Sequence, residues 1–440
     1  FTELDGLVHV PKSPWNDKYP MDLWDQARTL YALIYWFLDS QRESLLKYAD
    51  GIVDGLFKIS WQEGDRRIFK NELINSCSMG RYGVGSIIDP LVKYYEMTGN
   101  TKALQLATGT ANFLLDPNSG FFDEQGRHDA FFRTVVASIN GFSKLASLTG
   151  QPRLLKIAKK FHDYCVSLCT TYGSTPCCEP VCSDLEMNMS ALALIRAGND
   201  EYWDQIDRFI RNQIVEAQFL DTDEWVREKA SKKRINRFNI YDYYPDDLQI
   251  LPYDDYDDII NRSVGGFMWA TADEHMYFPA SLMICCTSHA LRSFEIVWQN
   301  ALRPYYDGLA VNLHYNFEND LGEVVSYEPY QGKVSVILKK DGRLKIRIPE
   351  YALGGYISAT CDDHKIDVHT VGRYAFFDKA IKGKTYSLEF DMKKRETEER
   401  QLVFKYPDYA NPQRTDTYEA YWRGNTVNSI RPESNEEKRM

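Results

Sequence analysis

Two adjacent cysteines, Cys285 and Cys286, stand out in this chain of 440 residues because thiols can do chemistry. They follow a glycine-rich, aromatic segment at 265–269 and precede an apolar run of helical period from Ala290 to Leu302. The pattern predicts that the pair lies near the start of a helix, where backbone N–H groups and the helix dipole favour the thiolate. A thiolate binds soft metal ions or attacks carbon, and neighbouring cysteines do not easily bond to each other.

A second group of thiols precedes this pair in the sequence. It consists of Cys177, Cys178 and Cys182, with Glu179 between them. Two tight groups predict one shared site; the alternative is that small thiols simply pack in the core. The chain has nine cysteines, so at least one thiol is unpaired, and the clustering favours a metal site over a disulfide framework.

Composition and charge exclude several classes of partner. The net charge is −11 and the pI is near 5.4, which argues against binding to nucleic acid or to an anionic membrane. The longest apolar run, from Leu30 to Leu38, is too short to span a bilayer. No signal peptide is recognisable and the sequence begins at Phe1, which leaves export open, with a periplasmic or secreted location favoured over a cytoplasmic one.

The elements that must position the cysteines are predicted to be helices. Short turns at Thr98-Gly99, Thr149-Gly150 and Ala197-Gly198 each separate an apolar helix from a second, amphipathic one, at intervals of about fifty residues. Such repeated helical hairpins stack as an open solenoid or close into a ring. We predict the closed form, an (α/α)6 helical toroid over residues 1–305, with a cleft at one end lined by the loops.

After about residue 305 the hydrophobic period changes from helical to alternating. This change predicts a C-terminal β-sandwich over residues 306–400, followed by a wrapping segment and tail at 401–440. The pair Asp341-Gly342 predicts a tight hairpin between two of the strands. The strand-like segments are 309–315, 334–338, 344–348, 374–377 and 386–390.

Around the cysteine pair the chain resembles the β-L-arabinofuranosidase family of glycoside hydrolases, as a divergent member. That family carries a Cys-Cys-Pro-Pro-Asn-x-x-Arg motif, and Cys285, Cys286, His289 and Arg292 fall at the same spacing. Thr287-Ser288-His289 replaces the Pro-Pro-Asn of the motif. Further similarity lies at 85–99, 307–313 and 344–349, so the resemblance covers about residues 40–400. It implies a helical toroid followed by β-sandwiches.

The resemblance also implies a mechanism. One cysteine of the pair is the nucleophile on the anomeric carbon, and the pair binds zinc together with an upstream cysteine and a glutamate. Carried over to this sequence, Cys285 becomes the nucleophile and Cys182, Cys285 and Cys286 become zinc ligands. Glu179 becomes the proton donor, although the family has separate glutamates for the metal and for proton transfer. Cys177 or Cys178 would then complete the metal site.

Other positions depart from the family pattern. Histidines that contact sugar in the family fall at Ser86 and near Phe131 in this sequence. His128 and Arg133 are local candidates to replace them, and His289 inside the motif is a further candidate for substrate binding. The alternative for each is a structural role. Two more carboxylates, Asp184 and Glu186, follow Cys182 and are spare candidates for the glutamate roles.

The sequence is therefore compatible with three functions. The first is a retaining glycoside hydrolase that acts on a complex plant or microbial glycan with a cysteine nucleophile and zinc. The second is a hydrolase or lyase on the same toroid that uses carboxylates such as Glu179 and Glu274 as acid and base. The third is an inactive carbohydrate-binding protein whose cysteines are structural. All three expect a carbohydrate partner, and none predicts an oligomeric state.

Overall fold

A computed structural model describes residues 5–9, 21–75, 77, 79–176, 180–220, 261, 264–267, 284–404 and 411–431. Cys177, Cys178 and Glu179 lie outside these residues, as does Glu274. Of the helices in these ranges, none has both the length and the apolar character that crossing a bilayer requires.

Helices make up the N-terminal part of the described chain. They are α1 Leu23–Ser40, α2 Ser44–Ile59, α3 Asn71–Asn75, α4 Ile88–Thr98, α5 Thr101–Leu114, α6 Phe132–Thr149, α7 Pro152–Leu168, α8 Pro180–Arg196, α9 Tyr202–Phe209 and α10 Ile284–Asn300. A 3₁₀ turn at Arg81–Ile87 leads into α4. A short hairpin, β1 Ser60–Glu63 with β2 Arg66–Phe69, follows α2.

The turns between paired helices have the geometry that the sequence predicts. Gly99 ends α4 with φ +72°, and Gly150 ends α6 with φ +63°. This left-handed conformation is accessible to glycine at little cost, and it lets the backbone N–H bond back to the last helical turn. Asn100 then caps the start of α5, because its side chain accepts from the N–H groups of Lys102 and Ala103. The predicted helical hairpins are confirmed here.

The hairpins form two layers. Helices α1, α4, α6, α8 and α10 form the inner layer, whose consecutive members pack against each other, while α2, α5, α7 and α9 each pack outside one of them. Arg292 of α10 lies over the rings of Tyr31 and Tyr35 on α1, at 4.9 and 5.5 Å from the centroids, and so brings the last inner helix to the first. The predicted fold class, a helical toroid followed by a β-sandwich, is confirmed; the number of six hairpins stays a prediction.

Strands begin immediately after α10. They are β3 Leu302–Tyr305, β4 Gly308–Val311, β5 Phe317–Glu318, β6 Gly322–Ser326, β7 Lys333–Leu338, β8 Gly342–Arg347, β9 Ile357–Cys361, β10 His364–Ile366, β11 His369–Val371, β12 Tyr374–Ala380, β13 Thr385–Phe390, β14 Lys394–Val403, β15 Arg414–Arg423 and β16 Thr426–Arg431. One sheet has the order β10-β9-β13-β7-β6-β5 and a second the order β11-β12-β8-β4-β3. Their apolar faces share one core, which makes the sandwich.

The predicted hairpin at Asp341-Gly342 is wrong. Strand β7 pairs with β6 and β13, whereas β8 pairs with β4 and β12, so this turn carries the chain from one sheet to the other. Both strands are largely buried, and each finds apolar cover across the sandwich rather than beside its sequence neighbour. Asp341 accepts a hydrogen bond from the backbone N–H of Lys382 on the adjoining turn.

A third sheet, in the order β14-β15-β16, packs against the helical domain. Ala420 and Trp422 pack on Tyr172, which lies between α7 and α8. Strand β14 crosses residue 400, the boundary predicted between the sandwich and the wrapping segment. The segment after 400 therefore contributes strands that cover the helical domain near the loop preceding Cys182, and the domain limits themselves stay a prediction.

Candidate functional site

Three sulfur atoms meet where two inner helices begin. Cys182 lies in the first turn of α8, and Cys285 and Cys286 lie in the first turn of α10. The Sγ atoms of Cys182 and Cys286 are 3.6 Å apart, those of Cys285 and Cys286 are 4.0 Å apart, and all three lie within 4.8 Å of one another. The predicted meeting of the two cysteine groups is confirmed for Cys182.

This spacing fits a metal ion. Zn–S bonds of about 2.3 Å in a tetrahedron place two sulfurs about 3.8 Å apart, and the two sulfur separations given above bracket that value. Cys182 and Cys286 are buried and Cys285 is partly exposed, so the group has one side toward solvent or substrate. Three thiolates with a remaining open position match the donor set that zinc prefers.

The three thiols do not ionise equally. Hydrogen bonds from Cys182 and Cys286, together with the charge of Arg133, lower the pKa of Cys285. Hydrogen bonds with Cys182 and Cys285, together with burial, raise the pKa of Cys286, and the hydrogen bond with Cys285 raises the pKa of Cys182. Ionisation is therefore favoured at Cys285, which is the partly exposed cysteine of the three.

His289 fixes the backbone of the cysteine pair. Its Nδ1 donates to the carbonyl oxygen of Cys285 at 2.6 Å, and its Nε2 lies 3.3 Å from Nη2 of Arg133 and accepts from it. Burial and the charge of Arg133 lower the pKa of His289 to about 3, so the ring is neutral at neutral pH. Both ring nitrogens are thus engaged within the protein. The predicted substrate contacts of His289 and Arg133 stay predictions, and the geometry adds a positioning role for each.

A buried chain of hydrogen bonds runs below the sulfurs. Glu186, one turn after Cys182 on α8, accepts from Arg28 at 3.3 Å and from Asn140 at 2.8 Å. Asn140 also donates to Asp89, which pairs with Lys144. This chain ties α1, α4, α6 and α8 together across the centre of the ring.

Neither spare carboxylate suits proton donation. Burial would raise the pKa of Glu186, but the charges of Arg28 and Arg292 and the Asn140 hydrogen bond lower it to about 2, so Glu186 is ionised. Asp184 is fully buried and burial raises its pKa, yet it lies two residues after Cys182, on the opposite face of α8. Glu179 therefore remains the predicted proton donor.

Ser86 and His128 are held by local contacts. The Ser86 hydroxyl is buried and donates to the carbonyl of Gly83 at 2.6 Å. The His128 ring lies 6.3 Å from that of Tyr82 and 6.0 Å from that of Tyr164, and burial lowers its pKa. None of these contacts reaches the sulfur atoms, so a substrate role for either residue stays a prediction.

The loop that leads to Cys182 is anchored by the third sheet. Buried Glu399 accepts from the N–H of Thr171 at 2.7 Å and from its hydroxyl, and Gln401 donates to the carbonyl of Thr175 at 2.6 Å. Glu399 and Gln401 both lie on β14. The C-terminal strands thereby hold the residues that directly precede Cys177–Glu179.

Sequence reasoning missed the contribution of α1. Two guanidinium groups lie near the ring of Trp24, that of Arg28 at 4.0 Å and that of Arg133 at 5.3 Å from its centroid. The sequence of α1 does contain an indication of this contribution, because aromatic and basic side chains recur at helical spacing on one face. They are Trp24, Arg28, Tyr31 and Tyr35. A core-facing stripe of a globular helix is normally apolar, so an arginine within it that is only partly exposed indicates a partner at the centre of the ring.

A family model matches residues 32–178, and its description is Beta-L-arabinofuranosidase, GH127 catalytic domain. The class that this match indicates is glycoside hydrolase. No curated protein sequence matches the chain. Over residues 32–178 the chain is therefore similar to the GH127 β-L-arabinofuranosidases, the family that it also resembles around its cysteine pair.

Solved structures agree on the fold. Ara127N-Se, a GH127 β-L-arabinofuranosidase from Geobacillus stearothermophilus T6, superposes with a TM-score of 0.58 at 16% identity, over 92% of this chain and 66% of that one. The GH127 β-arabinofuranosidase BT3674 gives 0.61 at 14% identity, over 92% and 63%. A structure titled glycoside hydrolase gives 0.60 at 13%, over 92% and 68%. The chain thus spans about two thirds of the length of these proteins.

Proposed function

We propose that this protein is a retaining glycoside hydrolase in which Cys285 is the nucleophile and Cys182, Cys285 and Cys286 hold zinc. The observation that carries the proposal is the convergence of these three sulfurs, within 4.8 Å of one another, at the first turns of two inner helices. Of the three, Cys285 is partly exposed and has a lowered pKa, as a nucleophile requires.

The proposed reaction has two displacements. In the first, the Cys285 sulfur forms a bond to the anomeric carbon, the glycosidic C–O bond breaks, and the leaving oxygen takes a proton from Glu179. In the second, water gives a proton back to Glu179 and its oxygen displaces the sulfur, which leaves as thiolate. When bound, zinc would keep the sulfurs ionised at neutral pH and make sulfur a better leaving group.

Neighbouring side chains would prepare Cys285 for this attack. Arg133 places a positive charge near the sulfur, and the neutral His289 holds the Cys285 carbonyl through Nδ1. The ion pair of Glu186 with Arg28 lies one helical turn below Cys182 and fixes the inner end of the site. These groups are arranged before substrate arrives, which reduces the reorganisation needed during reaction.

The proposed substrate is a complex plant or microbial glycan that carries a terminal pentose such as L-arabinofuranose. The basis is the family match, since the related structures are titled β-L-arabinofuranosidases. Ser86 stands where the resemblance places a sugar-contacting histidine, so the contact that the protein makes with the sugar at this position would differ from the family's. Hydrolysis of a panel of cell-wall glycans by the purified protein tests the activity directly.

Zinc content provides a separate test of the metal centre. Purified protein should contain about one zinc per chain, and Cys182→Ser should lose most of it, because removing one of three thiolates from the donor set weakens binding severely. Elemental analysis of both proteins gives the result. Cys165→Ser is the matched control, because Cys165 is equally buried but lies on α7, away from the sulfur group. Full zinc occupancy in Cys182→Ser would contradict the assignment.

The role of Glu179 is tested by the leaving group. As a proton donor, Glu179→Gln should keep zinc and lose about 10²–10⁴-fold in rate on a natural glycan, but little on an activated aryl glycoside. Loss of zinc, or an equal loss of rate on both substrates, would make Glu179 a ligand instead. Steady-state kinetics on the two substrates together with metal analysis distinguish the two roles.

The carboxylate alternative predicts a different result from the same proteins. A hydrolase or lyase that uses Glu179 and Glu274 as acid and base would keep its activity after zinc is removed and after alkylation of its thiols. An inactive carbohydrate-binding protein would have no turnover to lose in either treatment. Chelator and iodoacetamide treatment of the wild type therefore separates all three functions.

A further inference from the structure

A small cavity lies at the end of the inner helices opposite the sulfurs. Its volume is about 100 Å³, and it is lined by the later turns of α1, α8 and α10 together with α4 and α6. Along α8, Cys182 and the lining residue Arg196 are fourteen residues apart, or about 20 Å at 1.5 Å per residue. The cavity therefore opens at the other end of α8 from the sulfurs, although Arg292 in its wall also acts on the charge of Glu186.

Positive charge dominates its lining. Lys93, Lys144, Arg196 and Arg292 face the cavity, against one carboxylate, Glu295. Lys144 is neutralised by Asp89, and Glu295 already accepts a hydrogen bond from Gln299 at 2.8 Å. The remaining three cations form no ion pair within the part of the chain that the structure describes.

Arg292 gives the second observation. Its Nη2 donates to the thioether sulfur of Met189 at 3.3 Å, and Tyr35 is a further side-chain partner of the guanidinium. Its buried Nε has no hydrogen-bond partner among the described residues. A thioether is a weak acceptor, and a buried guanidinium normally has carboxylate or carbonyl oxygens around it. The rings of Tyr31 and Tyr35 cover its face but supply no acceptor for the Nε–H.

We propose that this cavity binds a tetrahedral oxyanion, free phosphate or sulfate. Arginine presents a planar fork of donors that matches such an anion, and the lysine adds a mobile positive charge. A cavity of about 150 Å³ holds a benzene molecule, so about 100 Å³ is of the right size for one phosphate and too small for a sugar ring. The anion would also neutralise the excess charge where α1, α8 and α10 converge.

Isothermal titration of the full chain with inorganic phosphate, and separately with sulfate, tests the site. We expect saturable binding of one anion per chain, weakened at least about tenfold by Arg196→Ala and by Lys93→Ala, because each removes a charge-assisted hydrogen bond. Arg153→Ala, on the outer helix α7, is the matched control and should bind as the wild type does. Circular dichroism of each variant confirms that it is folded.

Two results would overturn the proposal. One is the absence of saturable binding at about 10 mM phosphate, where a site with a millimolar dissociation constant would be nearly full. The other is an equal loss of affinity in Arg153→Ala and Arg196→Ala, which would mean that the anion binds to the surface charge at large. Neither result bears on hydrolysis, so the anion-binding proposal and the proposed function are tested independently.

Discussion

Cys285→Ser should lower glycan hydrolysis at least about 10³-fold while leaving the protein folded. A serine hydroxyl is not ionised at neutral pH, whereas the pKa of the Cys285 thiol is lowered by its hydrogen bonds with Cys182 and Cys286. On the proposed mechanism, the substitution removes the nucleophile and one of the three sulfurs that would hold zinc. Rates on the best glycan of the panel and zinc content, measured on the same preparation, give both effects.

The control for this experiment is Cys361→Ser. Cys361 is also partly exposed, but it lies on β9 in the sandwich, far along the chain from the site. It should keep full activity. Mass spectrometry of wild type quenched during turnover should show a sugar attached to Cys285. Activity retained by Cys285→Ser, or a sugar trapped on a carboxylate, would contradict a cysteine nucleophile.

The sequence predicted those features of the candidate site that depend on residues adjacent in the chain. Adjacent cysteines before an apolar helical run imply a helix start, and Cys285 and Cys286 lie in the first turn of α10. The proximity of Cys182 on α8 to Cys286 on α10 could be predicted only because two clusters in one chain suggested one site. The distance of 3.6 Å between them depends on how the hairpins close, which no local pattern contains.

The remaining features depend on contacts that are distant in sequence. The ion pair of partly exposed Arg28 with buried Glu186 joins α1 to α8, and no residue near either one in the sequence indicates the partner. Asp341-Gly342 has the composition of a hairpin turn, but burial of both flanking strands favours a crossing between sheets. Tertiary packing overrides local turn preference at this position.

The third sheet connects the C-terminal strands with the helical domain. Glu399 and Gln401 hold the loop at Thr171–Thr175, and this loop leads to the residues around Glu179. Loops that carry reactive groups work best on a rigid support, because small displacements of an acid from its substrate cost rate. The strands after the sandwich therefore support the loop that leads to Glu179, the proposed proton donor, as well as the stability of the fold.

Asp204→Asn should destabilise the protein by about 3–5 kcal/mol, the range for breaking one partner of a buried charge pair. Asp204 is fully buried on α9, where its carboxylate accepts from Arg347 and Arg373, each at 2.8 Å, and from the N–H of Glu350 at 3.0 Å. Asn425 of the third sheet donates to the same carboxylate at 3.3 Å. One side chain thus joins the toroid, the sandwich and the third sheet.

Urea unfolding at neutral pH measures this loss, and Asp307→Asn is the control. Asp307 also pairs with an arginine, Arg343 at 3.6 Å, but both side chains are more than half exposed, so its loss should cost at most about 1 kcal/mol. A comparable loss in the two variants would mean that burial of the Asp204 network does not matter. A selective loss in Asp204→Asn would locate the main polar link between the helices and the strands at α9.

The same network sets a pH dependence. Burial alone would raise the pKa of Asp204, but the charge of Arg347 and the hydrogen bond from Glu350 outweigh it and hold the pKa below its ordinary value. A lowered pKa in the folded state stabilises the protein above the unfolded value near 4 and loses that contribution as pH falls through the folded value. Wild type should therefore lose stability below about pH 4 more steeply than Asp204→Asn, because asparagine does not titrate, and parallel pH profiles for the two proteins would rule out Asp204 as the source.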